Sequence, residues 1–307
     1  GMEEKQSQSI HRKELRQQMK GLPSETIDGH RIEVAANVSS ASDLSAVLKN
    51  DAEGIGLFRS EFIYMGRETL PSEEEQFNIY KLAIETMAGK RVIIRTLDIG
   101  ADKEASAFHL PKEDNPALGL RAIRISLKRP EIFKVQLRAI LRASAYGKAA
   151  IMFPLITSVW EVWKAKEILT EVQMELDKKG IAYDKQMEIG IMIETPAAAL
   201  ISDKLAKEVD FFSIGTNDLS QYTLVVDRTS RNLTDFFNPH HPAVLKLIQM
   251  TVENAHKAGI WVGMCGELGS DLSITETFLK MGVDEFSVAP YSVLPLRQQI
   301  RGIDLRK

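Results

Sequence analysis

Cysteine occurs once in the 307 residues, at Cys265. A disulfide framework within the chain is thereby excluded, and a reducing, cytoplasmic setting is expected. No run of about 18 apolar residues is present, so no membrane-spanning helix is expected. The opening residues, G-M-E-E-K-Q-S-Q-S, lack the apolar stretch of a secretion signal, and Gly1 ahead of Met2 reads as a cleavage scar. An excess of one charge sign is missing too. Lys and Arg number 39 and Asp and Glu 42, a net charge of −3, which argues against a general nucleic-acid binder. Low-complexity segments and internal repeats are also absent.

What is present is apolar mass. The chain is 44% hydrophobic and 26% charged, ordinary for a globular protein with a large core. At about 150 residues per domain the length suggests two domains, but α/β barrels run to roughly 250 residues as one unit. Residues from about Ser9 to Lys20 read as a polar lead-in helix, closed by a turn at Gly21-Leu22-Pro23. Beyond it, continuous apolar runs alternate with stretches of helical period. The runs are Arg31–Val38, Gly54–Phe58, Arg91–Leu97, Ala149–Ile156, Glu188–Ile193, Phe211–Ile214, Trp261–Cys265 and Glu285–Val288. Helices are expected near Ser42–Lys49, Glu73–Met87, Glu131–Ala145, Ser158–Lys179, Thr195–Lys207, Pro242–Ala258 and Ile274–Met281. Continuous apolar strands favour a parallel sheet covered on its faces, hence an α/β barrel or a doubly wound sheet. Gly119–Ile125 is a ninth strand candidate, one too many for an eight-stranded barrel. Long insertions, Arg59–Ser72 and Asp98–Pro116, follow the second and third strands.

Polar residues stand at the ends of these strands: Arg59, Arg95, Glu194, Gly215-Thr216-Asn217-Asp218, and Cys265-Gly266-Glu267. A single one reads as an ion pair closing a strand. Five together imply a pocket, because the carboxyl edge of a parallel barrel gathers them at one end and buried ionisable groups need partners. Arg59 and Arg95 offer planar, permanently charged forks for phosphate or carboxylate, with Arg121, Arg228 and Lys103 in loops able to add to them. Glu194 and Asp218 are hard oxygen ligands, suited to Mg²⁺ better than to zinc. The residues therefore indicate a small anion held by arginines and one Mg²⁺. Cys265 lies between Gly263 and Gly266. A lone cysteine is more often inert than catalytic, but flanking glycines suggest close approach of backbone and ligand. Without a neighbouring histidine, an acid or base role is favoured over a covalent one.

The strings G-I-G-L-F-R-S-E-F (54–62), R-T-L-D-I-G-A-D-K (95–103), N-P-A-L-G-L-R-A-I-R (115–124), I-M-I-E-T-P-A-A (191–198), F-F-S-I-G-T-N-D-L-S-Q-Y (211–222) and G-M-C-G-E-L (263–268) follow in order. Together they resemble the phosphoenolpyruvate-binding, carboxyl-terminal domain of the Enzyme I family of the bacterial sugar phosphotransferase system, from about Ile32 to Arg301. The resemblance implies a (β/α)8 TIM barrel over 25–307, with 1–24 as scar and linker helix. It implies that Arg59, Arg95, Asn217 and Arg228 hold phosphoenolpyruvate with help from Arg121 and Lys103, that Glu194 and Asp218 ligate Mg²⁺, and that Cys265 protonates C3 of the enolate to give pyruvate. The family's phosphoryl acceptor is a histidine in a G-G-x-x-S-H-type sequence on an amino-terminal domain, which also docks a phosphocarrier protein. None of the six histidines here has that context. The chain is thus expected to bind phosphoenolpyruvate without completing the transfer alone, and to form a homodimer. Three alternatives stay open: the barrel of pyruvate phosphate dikinase or phosphoenolpyruvate synthase, a Mg²⁺-dependent lyase of the citrate-lyase type, and a ligand-gated dimerisation module.

Overall fold

The computed structural model describes residues 1–100 and 105–307. Eight parallel strands close into one barrel in chain order: β1 (Glu33–Val38), β2 (Ile55–Arg59), β3 (Val92–Arg95), β4 (Ala149–Phe153), β5 (Glu188–Ile193), β6 (Phe211–Gly215), β7 (Trp261–Cys265) and β8 (Glu285–Val288). β1 pairs with both β2 and β8, so no edge is left open. The helices are α1 (Met2–Gln17), α2 (Asp43–Lys49), α3 (Glu73–Thr86), α4 (Ile123–Lys128), α5 (Pro130–Ser144), α6 (Val159–Lys178), α7 (Pro196–Leu200), α8 (Ser202–Leu205), α9 (Thr216–Leu224), α10 (Pro242–Lys257), α11 (Thr275–Met281) and α12 (Val293–Arg301). This is the expected (β/α)8 TIM barrel with a lead-in helix.

Each strand falls on an expected apolar run. The ninth candidate, Gly119–Ile125, is not a strand. Its second half begins α4, and Ala122 turns the chain into that helix at φ +52°. The arginine spacing there is helical. α1 begins earlier than expected and has no buried residue, in keeping with its polar sequence. Helix starts are written locally. Ser158 and Glu161 cap α6 reciprocally, and the Thr195 hydroxyl accepts from the Ala198 N–H at the start of α7.

Alternation along the strands makes two cores. Residues such as Val34, Ile94, Phe153 and Ile214 face the helices, whereas Leu57, Ile93, Met152, Met192 and Phe211 fill the barrel. The amino end of the barrel is plugged. Arg91 pairs with Glu33 at 2.5 Å and Glu188 at 3.3 Å and lies 4.0 Å over the Trp261 ring. Trp261 in turn stacks on Phe211 at 4.6 Å. Arg297, fully buried, ties α12 to the lead-in segment through Ser24 and the Met19 carbonyl, and to the turn after α2 through Asp51 at 2.6 Å. With one end sealed, access to the interior is from the carboxyl end. No helix among the described residues is long and apolar enough to cross a membrane.

Candidate active site

The carboxyl end opens into a cavity of about 950 Å³. Its floor is set by the ends of β2, β3, β5, β6 and β7, and its walls by the loops that follow them. Every candidate site residue read from the sequence lines it, except Lys103, which lies outside the described residues.

Arg59 ends β2 and donates to the Ser39 hydroxyl at 2.9 Å. Burial pulls its pKa down, and the like charges of Arg95 and Arg228 add to the pull. It is therefore a cation in want of anions. Arg95 ends β3 and is only 6% exposed. Burial opposes its charge, but Glu61 at 3.1 Å and Asp98 at 3.3 Å more than offset that and raise its pKa. Its Nε has no partner among the described residues. Arg121 is paired with Asp98 at 2.9 Å and stands 3.8 Å from Asp218. Arg228 is exposed, in the loop after α9, with its N–H donating to Gln221 Oε1.

The carboxylates gather beside the arginines. Asp98, Glu194 and Asp218 bring oxygens within 4.8 Å of one another. Glu194 follows β5 and is 1% exposed, with one oxygen accepting from the Leu155 N–H at 2.7 Å. Burial raises its pKa well above the carboxylate range, and Asp218 and Asp98 push the same way. Three hard oxygens that repel one another in a half-enclosed space are a fitting donor set for a divalent cation. Asp218 stands in the first turn of α9, which starts directly from β6. The sequence Gly215-Thr216-Asn217-Asp218 thus forms the N-cap and first turn of a helix. Asn217 Oδ1 accepts from the Glu267 N–H at 3.0 Å, which leaves its amide hydrogens for another acceptor.

Cys265 is buried at the end of β7. Its sulfur accepts from the Ser213 hydroxyl at 3.4 Å and lies 3.7 Å from the Ile214 carbonyl. Burial pushes the thiol up to about 11, so it is protonated at neutral pH. The two neighbouring glycines serve different ends. Gly266 has φ +106°, and a Cβ there would meet Thr216 Oγ1 at 2.4 Å, so the turn under the thiol needs glycine. A Cβ at Gly263 would lie 2.5 Å from Glu285 Oε1, so its space accommodates a carboxyl inside the barrel, away from any ligand.

Sequence reasoning missed Glu61, Asp98 and Tyr222, all lining the cavity. Glu61 and Asp98 follow Arg59 and Arg95 by two and three residues. The rule that picked out the arginines reaches both when carried a few positions past the strand end.

Residues 13–305 match the family model described as "PEP-utilising enzyme, PEP-binding domain". A phosphoenolpyruvate-protein phosphotransferase of Staphylococcus epidermidis is 51% identical over 292 residues, covering 95% of this chain and 51% of that protein. Its counterparts in Haemophilus influenzae and Bacillus subtilis are 51% and 52% identical over 288 and 278 residues, covering 94% and 91% of this chain and 50% and 49% of those proteins. The chain spans about half the length of these relatives. Among solved structures, a citrate lyase from Burkholderia xenovorans aligns at TM-score 0.55 with 17% identity, over 90% of this chain and 78% of that one. That likeness concerns the fold alone. By its family match and by its identity to these relatives, the chain belongs to the PEP-utilising enzymes and carries their PEP-binding domain.

Proposed function

We propose that the cavity binds phosphoenolpyruvate with Mg²⁺ and supports transfer of its phosphoryl group to a histidine on another domain, releasing pyruvate, in sugar uptake. One observation carries this reading: four arginines, a cluster of three carboxylates and a buried thiol share a single cavity.

Phosphoenolpyruvate has a phosphate and a carboxylate, and needs several cations around it. Arg59 and Arg95 from the strand ends, with Arg121 and Arg228 from the loops, can address both groups. The Asn217 amide adds neutral donors. Lys103 is retained as a further contributor on the resemblance alone. Glu194 and Asp218 would hold Mg²⁺, with Asp98 beside them. When bound, the ion neutralises charge on the phosphoryl oxygens. The P–O bond to the enolate oxygen breaks as the histidine nitrogen bonds to phosphorus. The enolate takes a proton at C3 from the Cys265 thiol and becomes pyruvate. The thiolate then regains its proton from solvent. A thiol that is protonated at neutral pH is in the right state for that donation.

The acceptor histidine and the phosphocarrier protein are assigned to the parts of the relatives that this chain does not match. Residues 1–24 are read as scar and linker helix and 25–307 as the binding unit, supported by α1 having no buried residue. Homodimer formation is proposed on the resemblance and is checked by light scattering with and without phosphoenolpyruvate and Mg²⁺. Cytoplasmic location is proposed on the same ground and on the single thiol.

The activity is tested by mixing this chain with the separately made amino-terminal phosphohistidine domain of a matched relative. Phosphorylation of that histidine should require phosphoenolpyruvate, Mg²⁺ and this chain, with one pyruvate per phosphohistidine. Cleavage of a carbon–carbon bond in a citrate-type substrate, without phosphoryl transfer, would overturn the reading in favour of a lyase.

A further inference from the structure

The Tyr222 hydroxyl lies at a junction that no role above uses. Tyr222 stands on α9, four residues after Asp218, so the two share a helix face. Its hydroxyl accepts from Arg121 Nη1 at 3.1 Å and donates to the Ala117 carbonyl. The other amino group of Arg121 is held by Asp98 Oδ1 at 2.9 Å. The guanidinium is therefore gripped from two directions, by the loop after β3 and by α9. Ala117 belongs to the short 3-10 helix Pro116–Leu118, which lines the cavity together with Arg121 and Tyr222. One phenol thus ties two parts of the wall that lie 101 positions apart in sequence. Its single proton and one lone pair are both used by these partners.

We propose that Tyr222 is a positioning residue of the phosphoenolpyruvate site: it fixes the Arg121 guanidinium and the Pro116–Leu118 wall in the arrangement that receives the anion. The inference rests on the binding reading above. Without the hydroxyl, Arg121 keeps Asp98 and Asp218 on one amino group but its other amino group loses its partner, and the Ala117 carbonyl loses its donor. Geometry of this kind acts on affinity for the anion. It leaves the carboxylates that would take the cation where they are.

The experiment is a double-mutant cycle read by calorimetry with phosphoenolpyruvate in saturating Mg²⁺, on the full chain. Tyr222→Phe keeps the ring and its packing. It should weaken phosphoenolpyruvate by roughly tenfold to a hundredfold, the range for one hydrogen bond to a charged group. Melting temperature and Mg²⁺ affinity should stay at wild-type values. In an Arg121→Ala background the same substitution should cost clearly less than in wild type, since only the tie to the Ala117 carbonyl remains to be lost. An unchanged affinity for Tyr222→Phe overturns the proposal, and so does an equal penalty with and without Arg121. A loss of affinity matched by a large fall in melting temperature also overturns it, since that marks a structural role. Failure of the wild-type chain to bind phosphoenolpyruvate is a separate result. It overturns the binding reading itself, and the inference with it.

Discussion

Arg95 and Glu61 form an ion pair at 3.1 Å with both side chains buried. A cavity suited to an anion therefore carries a carboxylate against one of its main cations. The pair keeps a buried guanidinium charged and aimed, and Asp98 at 3.3 Å completes the hold. Arg95→Ala strands Glu61, whereas Asp98 keeps Arg121 at 2.9 Å. Loss of one partner of a buried pair costs about 3–5 kcal/mol, and the variant should unfold at correspondingly lower denaturant. Phosphoenolpyruvate binding should fall below detection by calorimetry. Replacing both members, Arg95→Met with Glu61→Leu, should recover most of the stability and none of the binding.

Glu194→Gln and Asp218→Asn should remove the effect of Mg²⁺ on ligand binding while leaving the fold intact. Relief of carboxylate repulsion should hold or raise the melting temperature, because Asp98, Glu194 and Asp218 crowd one another. A variant that binds Mg²⁺ as well as wild type would remove that residue from the cation site.

Cys265→Ala should bind phosphoenolpyruvate with near wild-type affinity but release pyruvate slowly when the acceptor domain is supplied. With the thiol at about 11, the donor stays protonated from pH 6 to pH 9, so its availability should not shape the rate across that range. A rate that falls sharply with a midpoint near pH 8 would contradict a buried thiol as the donor.

Inside the barrel, the Glu285 carboxyl is buried and both its oxygens lack a partner among the described residues. Burial pushes its pKa up to about 8, with Glu33 adding repulsion and Arg91 opposing it. A carboxyl whose folded pKa is raised stabilises the fold fully below its ordinary value near 4.5. That contribution is lost as pH rises through the folded value. Glu285→Gln should match wild type near pH 5 and become the more stable of the two by pH 9. Parallel melting curves across that range would show that Glu285 is not titrating in the fold.

The barrel was legible because its strands are continuous apolar runs. A parallel sheet buried on both faces writes itself that way. The site was legible for a related reason: arginine, glutamate and cysteine at the ends of such runs have no structural excuse in common. α9 was not legible, since T-N-D-L-S-Q-Y-T-L lacks a wide apolar stripe, and its turn-forming start disguised a helix N-terminus. Nor could periodicity show that Gly263 makes room for Glu285, because that contact depends on the register that sets the two side by side on the paired strands β7 and β8. Glu61 and Asp98 escaped because their meaning depends on which arginine they meet.

The central claim is that this cavity takes phosphoenolpyruvate and a divalent cation together. Titrating phosphoenolpyruvate into the chain by calorimetry, with Mg²⁺ and with a chelator, measures it most directly. Saturable one-to-one binding that weakens at least tenfold when Mg²⁺ is withdrawn is the predicted result. No binding in either condition, or equal binding in both, would contradict it.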